Sequence, residues 1–196
     1  MDDIVGTLLK KATEQKKSGD INNAILTLKL AYGEIAKTTI EYPVETFLRL
    51  PMYLQEAKQN DEAWKEFNKI LAYGFPNQIK DKEVFPAQEG IIYDKMRLFL
   101  QREKKHQTAI IFGIFSYLKW TIAIYRQKRF AELKHYQDKK EIKEMLAPLL
   151  KKAQKENCIQ DLTALVFNEA NNPDKIDIAT LNKNITAIMD TGSPTA

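Results

Sequence analysis

The chain has 196 residues, 44% hydrophobic and 29% charged, which is enough for one ordinary domain or a short repeat array with a buried core. That balance excludes a disordered chain and an integral membrane protein. Seven glycines and seven prolines are too few turn residues for an all-β sandwich, so long helices are favoured.

From the N-terminus, Ile4, Val5, Leu8, Leu9 and Ala12 share one helical face. After a break at Ser18-Gly19-Asp20, Ile21, Ala24, Ile25, Leu28 and Ala31 share another. Gly19 suits a left-handed C-cap and Asp20 suits an N-cap, which predicts a helical hairpin. A second copy has Phe47, Leu50, Tyr53 and Leu54, a break at Gln59-Asn60-Asp61, then Ala63, Trp64, Phe67, Ile70 and Leu71. A weaker third runs from Gly90, breaks near Lys104–Gln107 and resumes at Ala109. The stretch Thr108–Tyr125 holds one charge, Lys119. It is long enough for a membrane span, but it is better read as the buried centre of a helical protein. Beyond it, Phe130, Leu133, Ile142, Met145, Leu146, Leu149 and Leu150 form one apolar stripe, and Leu162, Leu165 and Val166 the next. Asn171-Asn172-Pro173-Asp174 reads as a turn, Ile178, Leu181, Ile185 and Ile188 as a last capping helix, and residues 191–196 as a disordered tail.

The hairpins resemble tetratricopeptide repeats. The residues that carry the likeness are Ala12, Gly19-Asp20, Ala24, Leu28 and Ala31 in the first copy. In the second they are Asn60-Asp61, Ala63, Phe67 and Ile70, with Pro76 near the end. Ala24, Ala63 and Ala109 lie 39 and 46 residues apart, so the array is irregular. Pro51 and Arg97 stand where the first copy has the small Ala12, and Pro51 is expected to kink its helix. The expectation is an all-α, irregular tetratricopeptide-like hairpin array, an α-α superhelix, over residues 1–126. Residues 127–190 are expected as further helices packed on it.

The resemblance implies a non-enzymatic interaction module whose concave face holds a peptide or helix of another protein. Its groove positions would be Thr13, Lys16 and Lys17, then Met52, Gln55 and Glu56, then Asp94, Gln101 and Arg102. No basic-and-asparagine clamp for a terminal carboxylate is evident. The ends of short arrays can stack on one another, so a homo-oligomer is plausible.

Charge offers a second reading. Residues 97–155 carry 15 basic and 5 acidic side chains, a surplus suited to nucleic acid or an anionic membrane surface. Its candidates are Arg126, Lys128, Arg129, Lys134, Lys139, Lys140 and Lys143, continuing to Lys151, Lys152 and Lys155. Lys and Arg also populate solvated helix faces, and no recognition-helix or RNA-binding motif is present.

Catalytic and cofactor chemistries find little material. Cys158 is the single cysteine, which excludes an internal disulfide, and it is read as a small apolar residue. With the acidic start MDDIVGTLL it suggests a reducing, cytoplasmic setting. No serine sits in a G-x-S-x-G elbow, and no two glycines lie closer than 13 residues, so neither familiar phosphate loop can form. Glu103/His106 and Glu132/His135 both read E-x-x-H, but a helix about 30 Å long separates them. No metal site, cofactor or catalytic residue is expected.

Overall fold

The computed structural model describes residues 3–78 and 81–191. Residues 192–196, most of the expected tail, lie outside them. Among the described residues there are ten α-helices, two short 3-10 turns and no strand, so the all-α expectation holds. The chain divides into two compact units, residues 1–80 and 81–196.

The first unit contains α1 (Ile4–Lys17), α2 (Ile21–Ile35), α3 (Val44–Glu56) and α4 (Asn60–Tyr73), each packed on its chain neighbour. Ala12, Ala24, Leu28, Ala31, Ile35 and Phe67 are wholly buried, which follows the 3.6-residue period of the sequence. Asp20 caps α2 by accepting from the Asn23 amide at 3.4 Å. The helix α3 continues through Pro51, which is buried. Three carbonyls, that of Ile35 at the end of α2 and those of Thr38 and Ile40 in the α2–α3 connection, converge on the Asn77 amide nitrogen at 2.9–3.2 Å. That bond set ties the α2–α3 connection to the segment after α4.

In the second unit, α6 (His106–Arg126) is the hub. It packs on α5 (Phe85–Arg102), α7 (Phe130–Tyr136), α8 (Lys139–Ala153), α9 (Ile159–Ala170) and α10 (Ile178–Thr191). By length and composition α6 could cross a membrane, but 56% of its most apolar window is buried inside the chain. Of its buried residues, Ile110, Ile114, Phe115 and Leu118 belong to the core shared with α8, α9 and α10. This is the central helix that the sequence suggested. Two local expectations shift: α5 begins at Phe85 rather than near Gly90, and Phe130, assigned to the apolar stripe, is 55% exposed. It opens the seven-residue α7, which buries only Leu133.

One turn recurs along the chain. Gly19, Lys58, Lys104, Lys128 and Gln154 all have φ between 55° and 85°. In each case the next amide donates to the carbonyl five residues back, at 2.8–3.0 Å: Asp20 to Gln15, Gln59 to Leu54, Lys105 to Leu100, Arg129 to Ile124, and Lys155 to Leu150. This is the Schellman closure, which satisfies carbonyls that a helix end leaves bare. Glycine adopts the left-handed conformation freely, whereas an L side chain is strained in it. Lys58→Gly and Lys104→Gly are therefore each expected to stabilise the protein by about 0.5–1 kcal/mol. The check is the midpoint of urea unfolding. An unchanged or lower midpoint would mean that these lysines contribute more through their side chains than the turn costs.

The last helix is held by a residue that the charge pattern placed on the surface. Lys155 is 7% exposed and its Nζ donates to the Met189 carbonyl at 2.7 Å. Cys158 Sγ donates to the neighbouring Ile188 carbonyl at 3.6 Å. The last turn of α10 has no basic residue of its own, so α8 and the turn after it supply the cation its C-terminal dipole favours. The buried Cys158 thiol has its pKa raised, chiefly by desolvation, in keeping with a packing role. Lys155→Met is expected to cost about 1.5–3 kcal/mol, the range for a hydrogen bond to a charged group. Amide exchange in α10 reports it, with exposed Lys152→Met as the control. Equal protection in the two variants would remove Lys155 from this role.

Candidate functional site

In the first unit, two of the expected groove residues pair with one another and a third is held by Arg49. Thr13 Oγ1 accepts from Arg49 Nη2 at 2.7 Å, and the same nitrogen donates to the Leu9 carbonyl at 3.1 Å. Lys16 pairs with Glu56 at 2.9 Å and lies 5.1 Å from the centre of the Tyr53 ring. Gln55 is buried, Met52 is half-buried and Lys17 is exposed. These contacts join the C-terminal halves of α1 and α3, so this face is a polar seam between two helices.

The second unit contains a cavity of about 410 Å³ among α5, α6, α7 and α8. Its place follows from the hairpin pattern. Five residues after the turns at Gly19, Lys58 and Lys104 come Ala24, Ala63 and Ala109, all at most 1% exposed. Nine residues after the same turns come Leu28, Phe67 and Gly113. Leu28 and Phe67 are wholly buried. Gly113 presents no side chain, and a Cβ there would lie 2.6 Å from Leu149 Cδ1 and 3.2 Å from Arg97 Cδ. The third hairpin therefore gives this space to the Arg97 stem and to α8, and the cavity opens beside them.

Its polar wall is a pair on one face of α5. Arg97 Nε and Nη2 both donate to Asp94 Oδ1, at 2.8 and 2.6 Å. The apolar wall is Met145, Pro148 and Leu149 of α8. Tyr117 lies between, its hydroxyl donating to the Tyr136 carbonyl at 3.0 Å, with ring centres 5.1 Å apart. Burial, the largest cause, pushes the Tyr117 phenol well above the ordinary range, so it stays protonated and serves as a donor. His135 stands exposed at the rim, its Nε2 3.5 Å from Glu141 Oε2. In the sequence Arg97 stands out as a departure from the repeat, whereas Tyr117 and Tyr136 carry no signal pointing here, and Met145 reads only as part of an apolar stripe.

Of the three groove positions expected in the third hairpin, Asp94 lines this cavity. Gln101 is half-buried and Arg102 exposed, both in the last turn of α5. The seven residues of the basic surface are all exposed. Four have partners within the unit. Arg126 donates to the Lys82 carbonyl at 3.1 Å, Arg129 pairs with Glu132 through two nitrogens, Lys139 lies 4.6 Å from the Phe167 ring centre, and Lys140 is 3.9 Å from Glu144. Lys128, Lys134 and Lys143 face solvent. The two E-x-x-H pairs fall at opposite ends of α6, and no group of three metal-ligating side chains is found among the described residues. Comparison with protein-family models, with curated proteins and with solved structures finds no match for this chain.

Proposed function

We propose that this chain is a non-catalytic interaction protein built from degenerate tetratricopeptide-like hairpins, working in a reducing cytoplasmic setting and holding a segment of another protein. One observation carries the reading. The same turn recurs three times with a buried alanine five residues on, and in the third copy Gly113 yields the place of Leu28 and Phe67 to the Arg97 stem and Leu149, beside which a cavity opens. The cavity has mixed walls, one charged pair facing aliphatic and aromatic side chains, which suits a peptide better than a purely apolar ligand.

A photo-crosslinking amino acid in place of the rim residue His135 tests this in the native host. The expected result is a discrete protein adduct that survives nuclease and is lost when Met145→Phe narrows the cavity. An adduct unchanged by Met145→Phe sinks the cavity as the binding site. An adduct that vanishes with nuclease moves the function to the basic surface, where Lys128, Lys134 and Lys143 face solvent, as do Lys151 and Lys152. Phosphate contacts would then make binding fall steeply with salt. The engagement of Arg126, Arg129, Lys139 and Lys140 by neighbouring side chains or carbonyls weighs against that second reading.

A further inference from the structure

Charge on the cavity wall is already balanced. Arg97 gives two N–H groups to one oxygen of Asp94, which leaves Asp94 Oδ2 and Arg97 Nη1 uncommitted, one on each member of the pair. The pair is not sealed off, since the Arg97 and Asp94 side chains are 21% and 40% exposed. A neighbouring acceptor and donor with no net charge complement a neutral group that both donates and accepts. One residue of an extended peptide offers both along one edge: its N–H would meet Oδ2 and its own carbonyl would meet Nη1. A free carboxylate fits poorly, because it would approach Arg97 against the charge of Asp94. At the rim, His135 sits against Glu141, so no second cation offsets Asp94.

Beside the pair, Met145, Pro148 and Leu149 offer aliphatic surface, and Tyr117 and Trp120 also line the cavity. At about 410 Å³ the cavity is near the small end of ligand pockets, roughly 300–1,000 Å³. That is room for one large side chain and its own peptide groups. Resting on the peptide-binding reading above, we infer that the cavity takes an internal residue of the partner: an uncharged aromatic or large aliphatic side chain against α8, with its backbone N–H on Asp94 and its carbonyl on Arg97. Chain termini are not what it recognises.

The experiment uses the full chain in a Trp64→Phe background, where Trp120 is the one remaining tryptophan. Three probes are titrated at pH 7: N-acetylphenylalanine methylamide, N-acetylphenylalanine as its carboxylate, and 2-phenylethanol, which has no peptide group. The methylamide is expected to shift Trp120 emission saturably at roughly millimolar concentration. The carboxylate is expected to bind about tenfold more weakly. Arg97→Met and Asp94→Asn, which keep the side-chain stems, should each weaken the methylamide several-fold with helical circular dichroism unchanged. Equal or tighter binding of the carboxylate overturns the neutral-amide inference and leaves the peptide reading standing. Binding of 2-phenylethanol as tight as the methylamide and indifferent to both substitutions overturns both, because the cavity would then read no peptide group. Failure of all three probes to shift Trp120 also overturns both.

Discussion

Phe67→Ala is expected to destabilise the first unit by about 3–5 kcal/mol, the range for removing a wholly buried phenylalanine. Phe67 is 0% exposed and its ring centre lies 5.8 Å from that of Trp64. It occupies the place in the second hairpin that Leu28 holds in the first, nine residues after the turn. The stability of a unit of about 80 residues is itself only about 4–12 kcal/mol at typical values per residue. The substitution therefore takes a large share of the total. Tyr73→Ala on the same helix is the control, since Tyr73 is 81% exposed and should change stability by less than about 0.5 kcal/mol. Amide exchange in α1–α4 separates the two. Similar protection in both variants would show that the core relaxes around the lost ring, and the assigned packing role would fall.

Phe67 is legible in the sequence because its signal is local. An aromatic four residues after Ala63, with Ile70 three further on, marks a helix face whatever lies opposite. The Gly19-Asp20 turn is legible for the same reason, since its residues are the ones its dihedrals demand. The matching turns at Lys58, Lys104, Lys128 and Gln154 carry no such residue, and only the rhythm of the flanking helices places the first two. Lys155 shows the opposite failure. Its neighbours Lys151 and Lys152 are exposed, so composition reads a run of surface charge, and only the arrival of α10 from 34 residues away buries it. The cavity escapes a sequence reading for a related reason. Arg97 visibly breaks the repeat, but what it faces comes from α7 and α8, and pairing between distant helices leaves no periodic trace.

Two glycine-to-alanine substitutions in helices should have opposite signs. At Gly33 in α2 an added Cβ meets nothing within 4 Å, so Gly33→Ala gains only helix propensity, about 0.5–1 kcal/mol. At Gly90 in α5 the same atom would lie 2.9 Å from Trp120 Cδ1, 3.0 Å from Trp120 Nε1 and 3.3 Å from the Ser116 carbonyl oxygen. The indole could turn aside, but the carbonyl belongs to the backbone of α6, and moving it means moving the central helix of the unit. Overpacking of this kind costs about 1–3 kcal/mol, more than the propensity gain of about 1 kcal/mol, so Gly90→Ala is expected to destabilise. Gly90→Leu should cost still more, because its added atoms must displace Trp120 and Ser116 together. Both residues also line the cavity, so the substitution should alter Trp120 emission and weaken whatever the cavity holds. Urea midpoints for the three variants, read beside Trp120 emission in the Trp64→Phe background, decide the matter. A stabilised Gly90→Ala with unmoved emission would mean that α5 and α6 have slack between them, and that the close approach is not what shapes the cavity wall.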